Sequence, residues 1–291
     1  MSVIGRRDFV KSLSAAIGAT TLAGNEAVAE ERKSAALYEV FALKYAGPFE
    51  RKLAMALFNT GWNEDVAINY YTWVIRAKSG ETTLVDTGTG KAWGPKFKNF
   101  FPPEQLIARL GVKPAQVTRI VISHMHFDHI GGVTEFAELF PAAKFYVQKK
   151  EFDFWVNNPL SQRAAFKGLR NADAIKAFAD LAQGPRVIQV DGDKVIGPEM
   201  QLLLAPGHTP GLQAVLIPTV KGQTIVGSDS AHLFRSFKED VPSSLITDLP
   251  IWMETFDKLR ANAPMENMFP GHDAKMLTDF PKVAEDITQL A

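Results

Sequence analysis

The sequence of 291 residues lacks cysteine, an excess of either charge and any long apolar run. The absence of cysteine excludes disulfides, iron–sulfur clusters and cysteine nucleophiles, so any metal site must be built from His, Asp and Glu. Basic and acidic residues number 32 each. This balance argues against a nucleic-acid partner, because such domains carry a basic excess. No segment offers the roughly 20 apolar residues of a membrane span. The sequence also lacks the Gly-x-Ser-x-Gly elbow that would predict a serine hydrolase.

What the chain does contain is typical of a folded domain. Hydrophobic residues make up 46% and charged residues 22% of the sequence, which excludes a disordered chain, a collagen-like fibre and a coiled coil. The length allows one large domain or two modest ones. Because no Ser/Gly-rich or Pro-rich linker divides the chain, we expect a single domain over residues 30–291.

The first residues carry the pattern of an export signal. Residues 5–11 read Gly-Arg-Arg-Asp-Phe-Val-Lys, a weakly apolar stretch follows, and Ala27–Ala29 forms a small-residue cleavage pattern. The adjacent arginines resemble a twin-arginine signal, although Gly5 and Val10 stand where Ser/Thr and Leu are more usual. We therefore expect residues 1–29 to be a signal peptide, the twin-arginine export machinery to be a partner and the mature protein to be periplasmic or secreted. An amphipathic or disordered N-terminal segment is the alternative.

From Tyr38 onward, short apolar runs alternate with amphipathic ones, which predicts an α/β fold with mixed sheets. The predicted strands are Tyr38–Tyr45, Tyr70–Ala77, Thr82–Val85, Arg119–Ser123, Lys144–Val147, Val187–Val190, Gln201–Ala205, Ala214–Ile217, Thr224–Gly227 and Asn267–Phe269. The predicted helices are Pro103–Leu110, Gly132–Leu139, Lys149–Val156, one or two within Ser161–Gln183, and Leu249–Ala261.

The histidines are the main indication of function. Three of the six fall in the hexapeptide His-Met-His-Phe-Asp-His at residues 124–129, directly after an apolar run. Residues two apart in extended backbone point to the same side, so His124 and His126 can reach one cation together. Asp128 and His129 follow as the chain turns and can face a second cation. Three imidazoles and a carboxylate are costly to bury unless something positive binds them.

Three further candidates each follow a predicted strand. His208 lies in Pro-Gly-His-Thr-Pro-Gly, Asp229 follows the strand at Thr224–Gly227, and His272 lies in Phe-Pro-Gly-His-Asp. Loops at strand ends are where α/β folds assemble their sites. Alone, a His or Asp in such a loop is more often a cap or turn residue. Together with the hexapeptide, these residues supply enough ligands for two metal ions.

The combination of these motifs, in this order, resembles the metallo-β-lactamase superfamily, and within it the N-acyl homoserine lactonases. Residues 69–76, 148–152 and 228–232 support that likeness. The resemblance implies an αβ/βα sandwich with a dinuclear metal site at one edge of the sheets. It also implies the ligand sets: His124, His126 and His208 for the first metal, Asp128, His129 and His272 for the second, and Asp229 as the bridge.

The chemistry that this resemblance implies is hydrolysis. Imidazole and carboxylate ligands suit two Zn²⁺, although Mn, Fe or Co fit the same ligands. Two such ions can share a hydroxide that attacks a carbonyl, and Asp128 is placed to pass a proton to the leaving alkoxide. We therefore predict a metal-dependent hydrolase that opens the lactone ring of N-acyl homoserine lactones or related esters. The alternatives are a β-lactamase, a thioesterase or an organophosphate hydrolase of the same superfamily.

Two site residues carry open alternatives. Lactonases of this type place a Tyr near the bridging Asp, where its hydroxyl contacts substrate, whereas this chain has His232. The imidazole is either a catalytic hydrogen-bond donor in that place or a pocket-wall or surface histidine. Asp86 resembles the carboxylate that orients a metal ligand, with a turn-forming Asp as the alternative.

The substrate pocket is the least defined part of the sequence. Apolar residues after the fifth strand either wall an acyl pocket or, as the more common outcome for such spacing, belong to the core: Phe152, Phe154, Trp155, Phe166, Leu169 and Phe178. Phe58 and Trp62 are further pocket candidates. Metal identity, acyl-chain preference and oligomeric state, a homodimer included, stay open.

Overall fold

The computed structural model describes residues 38–291. The predicted signal peptide at residues 1–29 lies outside the described residues, and so does the predicted domain start at residue 30. Within the described part, the strands are β1 Tyr38–Lys52, β2 Asp65–Ala77, β3 Thr82–Val85, β4 Val117–Val121, β5 Lys144–Gln148, β6 Val187–Val190, β7 Lys194–Gly197, β8 Met200–Leu204, β9 Gln213–Thr219, β10 Gly222–Ser228, β11 Met268–Pro270, β12 Lys282–Ala284 and β13 Ile287–Gln289.

The α-helices of the same part are α1 Gly90–Trp93, α2 Pro103–Arg109, α3 Phe127–Ile130, α4 Val133–Leu139, α5 Lys149–Phe152, α6 Ala172–Leu181, α7 Phe234–Glu239, α8 Leu249–Asn262 and α9 Lys275–Thr278. A π-helical segment at Asp153–Asn157 continues α5. Across residues 38–291, none of these helices has the length and apolarity that crossing a bilayer requires.

Every predicted strand overlaps an observed one, but the prediction missed β7, β12 and β13. These three strands are short, and polar or exposed positions dominate them, so no apolar run marks them in the sequence. The first strand is also longer than predicted, because β1 continues past Tyr45 to Lys52.

One helical prediction is wrong in extent. Within Ser161–Gln183 only α6 is α-helical, and the residues before it form short 3-10 turns at Pro159–Gln162 and Ala164–Phe166. The reason is local: the Asn171 side chain accepts a hydrogen bond from the Ala174 amide at 3.2 Å and starts the helix there.

The strands form two sheets that face each other. The larger sheet has the order β12-β13-β1-β2-β3-β4-β5-β6, and the smaller has β11-β10-β9-β8-β7. Strands β3 to β6 are parallel neighbours, as are β10 and β11. Strand β9 is antiparallel to both β8 and β10, so β8, β10 and β11 run in one direction. The carboxyl ends of β8, β10 and β11 therefore meet at a single edge of the smaller sheet.

The alternation of side chains along each strand creates three apolar layers. On β1, Val40 and Ala42 point into the core between the sheets, whereas Phe41 and Leu43 point outward. The outward face of the larger sheet packs against α2, α4 and α6, and the outward face of the smaller sheet packs against α8 through Trp252. The result is the predicted αβ/βα sandwich.

The last part of β1 and the first part of β2 form a two-stranded ribbon that reaches the loop after β11. The two strands pair from Tyr38↔Ala77 to Lys52↔Asp65, with register shifts around Ala46. The Asn69 amide in β2 donates to the carbonyl of His272 at 2.9 Å. This contact fixes the ribbon beside the loop that follows β11.

Candidate metal centre

The hexapeptide loop is held by a carboxylate from the neighbouring strand. Asp86 directly follows β3 and adopts a left-handed backbone with a φ of 64°. Its Oδ1 accepts the amide of Ser123 at 2.7 Å, and its Oδ2 accepts the Ser123 hydroxyl at 2.7 Å. The loop therefore leaves β4 in a fixed direction, and His124 and His129 are buried with at most 1% exposure.

The other candidate ligands come from the smaller sheet. His208 follows β8, Asp229 follows β10 and His272 follows β11, at the edge where these strands end. The close approach of two of these loops requires a glycine: a Cβ on Gly271 would meet Oδ1 of Asp229 at 2.1 Å. The small residue before His272 therefore allows Asp229 and His272 to share one site.

Three of the predicted ligands form one imidazole cluster. His126 Nδ1 lies 3.0 Å from His124 Nε2 and 3.1 Å from His208 Nε2. One nitrogen from each of the three rings lies within 4.8 Å of the others, a spacing that can hold a metal ion.

The remaining predicted ligands form a second cluster beside the first. Oδ2 of Asp128 lies 3.4 Å from His129 Nε2 and 3.7 Å from His272 Nε2. Asp229 lies between the clusters, with Oδ2 at 3.4 Å from His208 Nε2 and 3.1 Å from His272 Nε2. Its other oxygen, Oδ1, is 3.5 Å from His129 Nε2. The structure thus brings together all the ligands that the sequence predicted.

Unpaired polar atoms at the centre test whether metal ions fit. His129 Nε2, Asp229 Oδ1 and His232 Nε2 are buried without an aligned hydrogen-bond partner. A buried polar atom without a partner costs free energy, and a cation bound between these atoms would remove that cost. Because the donors are imidazole and carboxylate only, the centre fits a pair of borderline divalent ions such as Zn²⁺.

The two clusters differ in charge. Burial lowers the pKa of His124 and His208 well below the usual value and that of His126 to about 4, so these rings are neutral ligands at neutral pH. Burial also lowers the pKa of His129, but the carboxylates of Asp128 and Asp229 outweigh burial and raise it. The carboxylates of the second cluster therefore favour a positive charge beside them, either on a protonated imidazole or on a bound cation.

In three of the predicted ligands the outer ring nitrogen meets an oxygen, which turns the opposite nitrogen toward the centre. His129 Nδ1 lies 2.8 Å from Asp86 Oδ2, and His208 Nδ1 lies 2.9 Å from the carbonyl of Leu245. His272 Nδ1 lies 2.9 Å from the carbonyl of Asn69. Such contacts fix the tautomer and the orientation of metal-binding histidines. The position of Asp86 therefore agrees with its predicted orienting role.

His232 also lies at the centre. Its Nε2 is 3.1 Å from Asp229 Oδ2, and its ring centroid is 5.2 Å from that of His208 and 5.0 Å from that of His272. With His208 and Asp229 it forms a further cluster of metal-binding geometry. Its predicted role as a donor to substrate stays a prediction.

A cavity of about 320 Å³ opens onto these residues. Asp128, Asp229, His232 and His272 line it together with further polar and apolar side chains. Those apolar residues are Met55, Ala56, Ile68, Phe127, Leu169 and Leu245.

Most of the aromatic residues considered for the pocket lie elsewhere. Phe152, Trp155 and Phe178 belong to the core, and Phe154 and Phe166 pack against it. The core interpretation is therefore correct for these five residues. Of the six apolar candidates after the fifth strand, only Leu169 lines the cavity. Phe58 and Trp62 are 41% and 67% exposed and do not line it.

Three residues of this region received no role from the sequence, although Tyr70 and Glu151 lie in segments that support the family likeness. Arg51 and Tyr70 line the cavity, and the Arg51 guanidinium donates to the Tyr70 hydroxyl at 3.2 Å. Burial raises the pKa of Tyr70, as does the nearby Asp128, so its hydroxyl keeps its proton at neutral pH. Glu151 is fully buried between two ligand loops. Its place in the segment that directly follows β5 was the local feature of the sequence that could have pointed to a role for Glu151.

Paired imidazole and carboxylate clusters at the edge of an αβ/βα sandwich define a class of proteins that bind metal ions between two sheets. The sequence profile of the metallo-beta-lactamase superfamily matches residues 67–272, and the chain belongs to this superfamily.

Two curated relatives are N-acyl homoserine lactonases. One, from Bacillus sp, is 28% identical over 172 residues, which is 58% of this chain and 60% of the relative. The other, AttM from Azorhizobium caulinodans, is 25% identical over 265 residues, 81% of this chain and 94% of the relative. The chain thus spans only about 60% of the length of the Bacillus relative that it matches.

Two solved structures share the fold. A quorum-quenching N-acyl homoserine lactone lactonase superposes with a TM-score of 0.67 at 20% identity, covering 84% of this chain and 96% of that one. AidC, a dizinc quorum-quenching lactonase in complex with a product, superposes with a TM-score of 0.60 at 23% identity, covering 81% and 88%.

Proposed function

We propose that this protein is a dizinc hydrolase that opens the lactone ring of N-acyl homoserine lactones, and thereby quenches quorum signals. The observation that carries the proposal is the convergence of seven His and Asp side chains, with unpaired buried atoms among them; four of these side chains line a cavity that also has apolar walls. The lactonase activity of the curated relatives and the dizinc centre of AidC support it.

In this proposal, His124, His126 and His208 hold one zinc ion, and Asp128, His129 and His272 hold the other. Asp229 lies within reach of both sets and bridges them. When bound, such a pair of ions polarises a carbonyl and lowers the pKa of water to near neutrality.

The side chains of the cavity then have distinct tasks. Burial raises the pKa of Asp128, but the His129 and His272 imidazoles together outweigh burial and lower that pKa to about 2, so the carboxylate is ionised. It lines the cavity and can accept a proton and release it to the leaving alkoxide. We infer that the ring of His232, which lines the cavity, donates to substrate and that the apolar wall around Ile68 and Leu169 holds an acyl chain away from water.

A substrate panel tests this function. The full chain, reconstituted with zinc, is assayed on N-acyl homoserine lactones, a β-lactam, a thioester and a phosphotriester. We expect kcat/KM to be highest for the acyl lactones and to be lost on removal of the metal. A higher kcat/KM for any of the other three substrates would replace the lactone assignment with that activity.

We also propose that residues 1–29 direct twin-arginine export and that the mature protein is periplasmic or secreted. The support is the Arg6-Arg7 pair with the apolar stretch and Ala27–Ala29 behind it. Changing both arginines to lysine should retain the protein in the cytoplasm, as measured by fractionation. The matched control exchanges Arg32 and Lys33, which lie beyond the proposed cleavage site, for Lys and Arg. Equal export of both variants would contradict the proposal.

A further inference from the structure

Arg51 is a cationic side chain without a counter-charge. It lies near the end of β1, is half-buried and lines the same cavity as Asp128 and His272. Among residues 38–291, no carboxylate lies within ion-pair distance of it; its guanidinium donates to the Tyr70 hydroxyl, and its Nε is buried without a partner. Burying a guanidinium without full hydrogen bonding is costly, so its unused donors at the cavity wall point to a ligand oxygen.

Tyr70 extends this donor site toward the metal centre. Its side chain is 4% exposed, and its ring packs edge-on against that of His272 at 5.1 Å between centroids. The hydroxyl accepts from Arg51, and no described residue accepts the hydroxyl proton in return. Arg51 and Tyr70 together therefore offer hydrogen-bond donors to the cavity and leave the acceptor to a bound molecule.

Only an oxygen acceptor of the substrate complements such a pair. In an acyl homoserine lactone, the ring carbonyl is the group that reacts at the metal centre, which leaves the amide carbonyl oxygen of the acyl chain as the strong acceptor. We propose that Arg51 and Tyr70 bind this amide oxygen, and that the pair selects acylamino lactones over alkyl lactones of the same length. This inference rests on the proposed function.

The experiment compares two substrates in the zinc-loaded full chain. One is N-hexanoyl homoserine lactone; the other is a γ-butyrolactone with an alkyl chain of matched length on the same ring carbon and no amide. For Arg51→Met and Tyr70→Phe we expect kcat/KM to fall about 10- to 100-fold on the first substrate, mainly through KM. On the alkyl lactone we expect less than about a 3-fold change.

Two control variants match these changes in chemistry. Lys52→Met removes a neighbouring cation that pairs with Asp65 at 2.7 Å instead of lining the cavity. Tyr38→Phe removes a tyrosine hydroxyl that donates to the Pro198 carbonyl at 3.2 Å. Both should behave like the original chain on both substrates. Zinc content and thermal unfolding, measured for all four variants, identify any loss that comes from folding or metal binding.

The outcomes separate this inference from the proposed function. If the original chain hydrolyses neither lactone, the proposed function fails. If it hydrolyses both, and Arg51→Met and Tyr70→Phe lose activity equally on both or on neither, the donor pair does not recognise the amide. The double variant gives a further check: because both groups bind one oxygen, its loss should be smaller than the product of the single losses. If the loss of the double variant equals the product of the two single losses, Arg51 and Tyr70 act independently, and the shared site is overturned.

Discussion

Two buried carboxylates near the ligand loops, Glu151 and Asp229, differ in how their oxygens are satisfied. Oε1 of Glu151 accepts the Met125 amide at 2.9 Å and the Trp155 indole at 2.7 Å. Its Oε2 accepts the Thr209 hydroxyl at 2.7 Å and the Gly211 amide at 2.9 Å. Asp229 is surrounded by imidazoles, and its Oδ1 has no hydrogen-bond partner.

The difference distinguishes a carboxylate whose hydrogen bonds are complete from a candidate metal ligand. Glu151 is complete without a ligand, since neutral donors from both ligand loops satisfy it, and it therefore joins the loop of His126 to the loop of His208. Asp229 is incomplete without a cation. Burial raises the pKa of both groups, but for Asp229 the His272, His129 and His232 imidazoles outweigh burial and lower its pKa.

The sharpest test of this comparison is Glu151→Gln. The new amide group must face two donors whichever way it is turned, so we expect a loss of about 3–5 kcal/mol in the free energy of unfolding. The loss should be similar in zinc-loaded and chelator-treated protein, as measured by urea unfolding. Glu254→Gln, at an exposed position, is the control and should change little. A loss seen only with zinc present would place Glu151 with the metal-binding group.

Asp229→Asn should have the opposite profile. The substitution removes the charge that lies between the two clusters, so we expect bound zinc to fall below two equivalents and kcat/KM to fall at least about 100-fold. In chelator-treated protein the free energy of unfolding should fall by less than in the zinc-loaded protein, because the imidazoles that lower the pKa of Asp229 lose a stabilising partner but no metal ion is lost. Metal analysis and urea unfolding measure the two effects. A destabilisation as large without zinc as with it would contradict the distinction from Glu151.

Asp86 combines features of Glu151 and Asp229. It accepts hydrogen bonds from Ser123, and it also contacts the predicted metal ligand His129. For Asp86→Asn we expect zinc affinity to weaken about 10- to 100-fold with the fold retained. Competition with a chromogenic chelator measures the affinity. The exposed Asp257→Asn serves as control, and an unchanged affinity in Asp86→Asn would leave Asp86 a turn residue only.

The sequence predicted the metal centre better than the pocket, for a physical reason. His124 to His129 and His208 stand in short motifs of polar residues directly after apolar strands, so the sequence itself marks them. Arg51 was missed because β1 continues past a register shift that no local pattern announces. The structural role of Glu151 depends on hydrogen-bond partners 26 and 58 residues away along the chain. These partners come close to Glu151 only in the folded protein, so the sequence could not indicate the role.

His232 is the residue for which we expect the smallest effect of a substitution. His232 lies within reach of Asp229 and at the cavity, so it is either a further metal-binding ring or a donor to substrate. As a donor, His232→Ala should lower kcat/KM for an acyl lactone by up to about 10-fold with two zinc ions retained, and His232→Gln should restore part of the loss. Metal analysis beside the kinetics separates the two roles, because loss of a metal-binding ring lowers the zinc content first. Unchanged kcat/KM at full zinc content would reject the catalytic role and leave His232 in the pocket wall.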